Sequence, residues 1–225
     1  MKIIFYGHSC FGIEFDNIHI IVDPFISGNP RASHIDVNSL KADYILVTHA
    51  HQDHVLDVEK IAQNTGAIIL SNFEIVNYFM AKDLKGSHLN FGGTFKTEYF
   101  SAKYVNAIHT SSFADGTYGG QPGGFVLTVK NQSIYIAGDT ALTFDMKLIP
   151  MFTKLTTAIL PIGDVFTMDV NEAIIASDFI ECNRVIGCHF NTFPPIEINT
   201  EKAKQQFKSK SKELILLEIG SSIEL

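Results

Sequence analysis

A chain of 225 residues, 46% of them hydrophobic, can bury a large core and falls within the size range of one α/β or all-β domain, so residues 1–225 are expected to form a single domain. Its formal net charge of −7 and isoelectric point near 5.7, with Lys and Arg scattered apart from the run Lys202 to Lys212, argue against a nucleic-acid groove. Three cysteines cannot close a disulfide framework, no apolar run approaches a membrane span, and Lys2 to Tyr6 is too short for a signal peptide, which points to a cytoplasmic protein with no membrane partner.

In chain order, Ile3–Tyr6 is a first expected strand, followed by a hairpin of Phe11–Phe15 and Ile18–Val22 around Asp16-Asn17. Pro24 cannot donate to a sheet ladder, so this hairpin ends at Asp23, on the rim of the sheet. A loop from Ile26 to Leu40, with Gly28, Asn29, Pro30 and Ser33, leads into a buried strand, Tyr44–Val47. Next comes Thr48-His49-Ala50-His51-Gln52-Asp53-His54, on a loop before a helix expected over Val55–Ala62. Three imidazoles and a carboxylate in six positions suit a divalent transition metal, and this pattern would arise by chance on the order of once in a thousand such chains.

Gly66 is a plausible helix cap, Ala67–Leu70 a buried strand and Phe73–Leu84 a helix. From Gly86 to Ala107 the pattern predicts irregular loop and short strands, with Asn90–Thr94 as a turn, before a strand over Val105–His109 that ends in His109. The glycine-rich stretch from Asp115 to Gly124 lacks a P-loop Lys and is expected to be a surface loop. A second hairpin, Phe125–Val129 and Ser133–Ala137 around Asn131-Gln132, ends in Gly138-Asp139-Thr140. Strand Ala158–Leu160, a helix from Asp169 to about Glu181 with Glu172 completing a capping box, and strand Arg184–Cys188 follow. A helix after Asn199-Thr200 and a strand over Glu213–Ile219 close the chain.

The order hairpin, strand, loop, helix, strand thus occurs twice, which suits two sheets face to face with helices outside. In such a fold Asp23, His49 to His54, His109, Asp139 and His189 lie at the ends of separate apolar strands and converge on one rim. A lone histidine at a strand end is more often structural, but several beside the clustered imidazoles make a site. If His189 faces that site, its neighbour Cys188 faces the core as a buried thiol. His8 lies in a turn and is read as facing substrate or supporting a ligand, and Ser111, Ser112 and Asn191 flank the expected ligands as candidate substrate contacts.

His49-x-His51-x-Asp53-His54 with His109, Gly138-Asp139 and His189 resembles the metallo-β-lactamase superfamily across the whole chain. Gly7-His8-Ser9-Cys10-Phe11, Asp23-Pro24-Phe25, Ala137 to Ala141, Leu160 to Asp164 and His189 to Pro195 more narrowly resemble the small prokaryotic metal-dependent hydrolases related to ascorbate-6-phosphate lactonases. The resemblance implies an α/β fold, an αββα four-layer sandwich of two mixed sheets with helices outside. It implies two divalent metal ions, Zn2+ or Mn2+ with Ni2+ or Fe2+ as further fits. His49, His51 and His109 would hold one ion and Asp53, His54 and His189 the other, with Asp139 as the bridge and Asp23 supporting the ligands from behind.

The implied chemistry is hydrolysis of a small polar or anionic ester, lactone or phosphoester by a metal-bridging hydroxide, with Asp53 able to accept the proton of the attacking water. Two alternatives use the same scaffold. An iron-dependent redox enzyme of the flavodiiron kind would carry Glu where His51 stands, and a nuclease is disfavoured by the acidic chain. The expected partner is therefore a small-molecule substrate rather than nucleic acid, and self-association stays open.

Overall fold

Apolar residues at every second position build the strands, because alternate side chains of a strand share one face. The computed structural model describes residues 1–225, and its first half contains β1 (Lys2–Gly7), β2 (Cys10–Phe15), β3 (Ile18–Val22), β4 (Tyr44–Leu46), α1 (Gln52–Val55), α2 (Val58–Thr65), β5 (Ile68–Asn72), α3 (Phe73–Met80) and β6 (Gly86–Leu89). The second half contains β7 (Thr94–Lys96), β8 (Phe100–Asn106), β9 (Gly123–Val129), β10 (Gln132–Ile136), β11 (Thr157–Pro161), α4 (Val170–Phe179), β12 (Arg184–Cys188), α5 (Thr200–Ser209), β13 (Glu213–Ile215) and β14 (Ser222–Glu224). No helix is long and apolar enough to cross a membrane.

The strands form two seven-stranded mixed sheets, ordered β14-β1-β2-β3-β4-β5-β6 and β13-β12-β11-β10-β9-β8-β7. Phe5, Phe11, Ile13, Ile20, Val22 and Leu46 of the first sheet meet Phe100, Tyr104, Phe125, Leu127, Ile134 and Ile186 of the second in one buried layer. Burying each of the larger aliphatic or Phe side chains there contributes roughly 1.5–3 kcal/mol. The outward residues of the first sheet pack against α2 and α3, and those of the second against α4 and α5. This is the αββα sandwich expected from the sequence.

The internal repeat extends to strand pairing. The meander β1-β2-β3 is antiparallel and β3-β4-β5-β6 parallel, and β8-β9-β10 followed by β10-β11-β12-β13 repeats the scheme. An antiparallel edge strand completes each sheet, β14 on β1 and β7 on β8. The first hairpin turns at Asp16 (φ +44°) and Asn17 (φ +64°), the two left-handed residues that a tight hairpin of right-twisted strands requires. The second turns at Lys130-Asn131, one residue earlier than the sequence suggests.

Several elements differ from expectation. The helix expected over 55–62 is two helices, because Asp57 turns away to accept from the Ile26 and Ser27 amides at 2.6 and 2.9 Å and from the Ser27 hydroxyl. Helix α3 stops at Met80, not Leu84, where Asp83 adopts φ +60°. The stretch expected to hold irregular loop and short strands, 86–107, holds three strands, the last of them the seven-residue β8. In β8, Phe100, Ala102 and Tyr104 point inward and alternate with half-buried Ser101, Lys103 and Val105, and these polar alternates obscure the pattern. The strand stops at Asn106, so His109 lies in the following loop and not at a strand end. Only the start of the glycine-rich stretch, Asp115 to Tyr118, is continuous surface loop: Gly119 and Gly120 are buried, and Gly123 and Gly124 belong to β9. The last expected strand ends at Ile215, and the chain crosses back to pair with β1 through β14.

Helix α4 carries the capping box: Asp169 accepts from the Glu172 amide at 2.7 Å, and the Glu172 carboxylate accepts from the Asp169 amide at 3.2 Å. Asp169→Ala is expected to destabilise the protein by about 1 kcal/mol in chemical denaturation, whereas Asp169→Asn, which keeps the acceptor, retains most of that stability.

Candidate metal centre

Six loops deliver the site at one rim of the sandwich. His8 follows β1 and Asp23 follows β3 directly, and His49 stands three residues past β4. His109 is three residues past β8, Asp139 three past β10, and His189 immediately follows β12. His51 caps the short helix α1, and Asp53 and His54 lie inside it, where the sequence suggested a loop. The expected convergence of these residues is therefore present.

Asp139 is at the focus. Its Oδ2 lies 3.0 Å from His189 Nε2, 3.4 Å from His54 Nε2, 3.6 Å from His109 Nε2 and 3.9 Å from His49 Nε2. Asp53 Oδ2 approaches His8 Nε2 at 3.0 Å, His189 Nε2 at 3.7 Å and His54 Nε2 at 3.9 Å. Ligating atoms of His49, His51 and His109 lie within 4.8 Å of one another, as do those of His8, Asp53, His54 and His189, and those of His49, His54 and Asp139. The first two sets match the expected halves, with His8 added to the second. Sequence reading kept His8 out of the ligand set; the structure brings its ring against Asp53 and, with centroids 4.1 Å apart, against His189.

Further residues hold these side chains in place. Asp23 accepts from the Thr48 amide at 2.8 Å and the Thr48 hydroxyl at 2.7 Å and pairs with His54 Nδ1 at 2.9 Å, on the side of that ring away from Asp139. Sequence reading passed over Thr48 and Thr192, whose hydroxyl is 2.9 Å from His8 Nδ1; only their adjacency to the histidine motifs signalled them. Gly163 was also missed as a site residue: a Cβ there would collide with the carbonyl of His189. Three non-glycine residues of the site have left-handed backbones, His8 at φ +56°, Asp23 at +44° and His189 at +53°. A register shift between Phe5 and Gly7 breaks the ladder just before His8 and aims its ring inward.

The flanking candidates fare differently. Ser111 is buried, its hydroxyl accepting from the Ala50 amide and donating to the Gly119 carbonyl, and Asn191 accepts from the Ile198 amide, so both side chains are engaged in holding loops. Ser112 is exposed and bridges to Tyr118 through its backbone. Cys188 faces the layer between the sheets, as the alternation required.

Electrostatics separate the two ligand sets. Burial lowers the pKa of His49, His51 and His109, reinforced by neighbouring imidazoles, which favours the neutral ring with one unprotonated nitrogen; His49 Nε2 and His51 Nδ1 share a hydrogen bond at 3.1 Å. Burial also opposes charge on His54 and His189, but Asp139 overrides it, joined by Asp23 for His54, and holds His54 well up and His189 at about 9. Burial would raise Asp139, yet His189 and His54 hold it well below the usual carboxylate range. Against the same burial effect, His189 and His8 keep Asp53 ionised. Buried His54 Nε2, Asp139 Oδ1 and His189 Nδ1 find no hydrogen-bond partner within the protein. Imidazole nitrogens and carboxylate oxygens converging this closely, with buried atoms left over, fit divalent transition metals.

A family model described as the beta-lactamase superfamily domain matches residues 2–189. A UPF0173 metal-dependent hydrolase of Flavobacterium johnsoniae is 63% identical over 225 residues, and one of Christiangramia forsetii is 61% identical over 226, each match covering all of both chains. Among solved structures, a metallo hydrolase from the hyperthermophilic archaeon Ignicoccus hospitalis superposes with a TM-score of 0.90 at 31% identity, covering 100% of this chain and 98% of that one.

The raised pKa of His189 and His54 sets a pH dependence. In metal-free protein His189 carries its proton below about 9 and must lose it to donate a lone pair, so proton competition weakens metal uptake as pH falls. Titrating chelator-stripped protein with Zn2+ in weak buffer should release about one proton or more per chain at neutral pH, with affinity rising up to pH about 9 and then levelling. Uptake without proton release would contradict this charge pattern.

Proposed function

Because this chain belongs to the beta-lactamase superfamily and, within it, to a family of metal-dependent hydrolases, we propose that residues 1–225 act as one hydrolase domain that uses two divalent cations, Zn2+ or Mn2+, on a small molecule with a polar or anionic scissile group, an ester, lactone or phosphoester. The observation that carries this reading is the position of Asp139 Oδ2 within 3.0–3.9 Å of four imidazole nitrogens. His49, His51 and His109 would hold one cation, Asp53, His54 and His189 the other, and Asp139 both. Cations bound there supply an activated water at neutral pH and polarise the oxygen of the scissile group.

The protein's own groups then have distinct tasks. Asp139, with its side chain 3% exposed, is locked and serves as the fixed anion of the site. Asp53 is the open carboxylate, 29% exposed, and stays ionised, so it is the group placed to accept a proton from water entering from solvent. His8, anchored through Thr192, fixes the Asp53 oxygen that faces His189 and His54. The half-buried His51 and His109 mark the side from which substrate arrives. Asp23 keeps Nδ1 of His54 engaged, which turns Nε2 toward Asp139.

Assay of metal-loaded protein against esters, lactones, thioesters and phosphodiesters tests the activity. In Asp139→Ala, hydrolysis of whichever class is turned over should fall to background while circular dichroism keeps the wild-type fold; turnover near wild type removes Asp139 from the mechanism. Elemental analysis after loading with excess metal and desalting is expected to give about two ions per wild-type chain and about one for His189→Ala, since His49, His51, His109 and Asp139 still complete a four-ligand set. One ion in the wild type would reduce the centre to a single cation.

A further inference from the structure

On the outer face of the second sheet, next to the centre, lies a cavity of about 710 Å³, within the range of small-molecule sites. Its walls include Val105, Ile108, Pro122, Leu148 and Phe152, and the 3-10 segment Phe144–Met151 closes one side. His109 joins the cavity to the centre: it lines the wall while its Nε2 lies 3.6 Å from Asp139 Oδ2.

At the rim, Lys103 Nζ donates to the Gly92 carbonyl at 2.7 Å and sits 5.1 Å above the Phe152 ring, and Asn106 Nδ2 donates to Asp145 Oδ2 at 2.5 Å. Between these polar groups the walls are apolar and reach His109, so an apolar group would be matched along its length. Building on the hydrolytic reading above, the geometry points to a substrate that carries an apolar acyl or aryl arm, held in this cavity, while its scissile bond lies at the Asp139 centre.

Two measurements separate the cavity from the chemistry. Metal-free ¹⁵N-labelled protein is titrated with hexan-1-ol and with ethanol. Hexan-1-ol should produce saturating shifts at the amides of Val105, Ala107, Ile108 and Leu148, and ethanol should not. With metal-loaded protein, kcat/KM for 4-nitrophenyl esters from acetate to hexanoate should rise roughly fourfold per methylene. That slope should flatten in Val105→Trp, which fills the cavity, and in Leu148→Asp, which places a charge at a position 52% exposed and so spares the fold. Absence of the hexan-1-ol shifts, or a wild-type slope in both variants, overturns the assignment. Hexan-1-ol shifts in a protein that turns over no ester, lactone, thioester or phosphodiester would support the cavity and count against the hydrolytic reading instead.

Discussion

One buried carboxylate governs the rim of this fold. Asp139 is 2% exposed, and an anion taken that far from water costs several kcal/mol unless positive or hydrogen-bonding groups surround it. Here the compensation comes from four imidazoles, three on the loops after β4, β8 and β12 and one inside α1, so both sheets are bound to one oxygen. The Ile, Leu and Phe layer between the sheets sets how these loops meet. Small errors in sheet docking would therefore appear directly in the site, since the distances to Asp139 span only 3.0–3.9 Å.

The internal repeat explains the division of labour. Asp23 and Asp139 follow β3 and β10, the last strands of matching antiparallel meanders, and both carboxylates meet the same ring: His54 Nδ1 is 2.9 Å from Asp23 and His54 Nε2 is 3.4 Å from Asp139. The carboxylate of the first half faces away from the focus and also takes the Thr48 amide and hydroxyl, while that of the second half points into it. One topological position thus serves as a brace in one half and as the central anion in the other.

Much of this was legible from the chain because apolar strands and polar strand ends are local patterns. Asp23, the motif from His49 to His54, Asp139 and His189 each followed such a strand, and their convergence needed only the two-sheet arrangement. The misses have physical causes. Strand β8 alternates Phe, Ala and Tyr with Ser, Lys and Val, a half-polar pattern that hid its bounds within a stretch read as loop and short strands, and His109 was set on a strand end it does not occupy. The break at Asp57 depends on amides 30 residues earlier, a tertiary contact that helical spacing cannot reveal. His8 looked like a turn residue because only packing brings it against Asp53, 45 positions away. The cavity beside His109 combines residues from widely spaced segments, including a 3-10 stretch with no clear period.

The left-handed backbones of His8, Asp23 and His189 carry a wider implication. Such conformations cost non-glycine residues of order 1–3 kcal/mol each, so together they offset a sizeable part of the 5–15 kcal/mol by which folded proteins typically exceed the unfolded state. A chain shaped by stability alone would carry glycine at all three positions. Glycine at any of these three positions would relieve that strain and at the same time remove the His8–Asp53, Asp23–His54 or His189–Asp139 contact, so here gains in stability and the integrity of the site are set against each other.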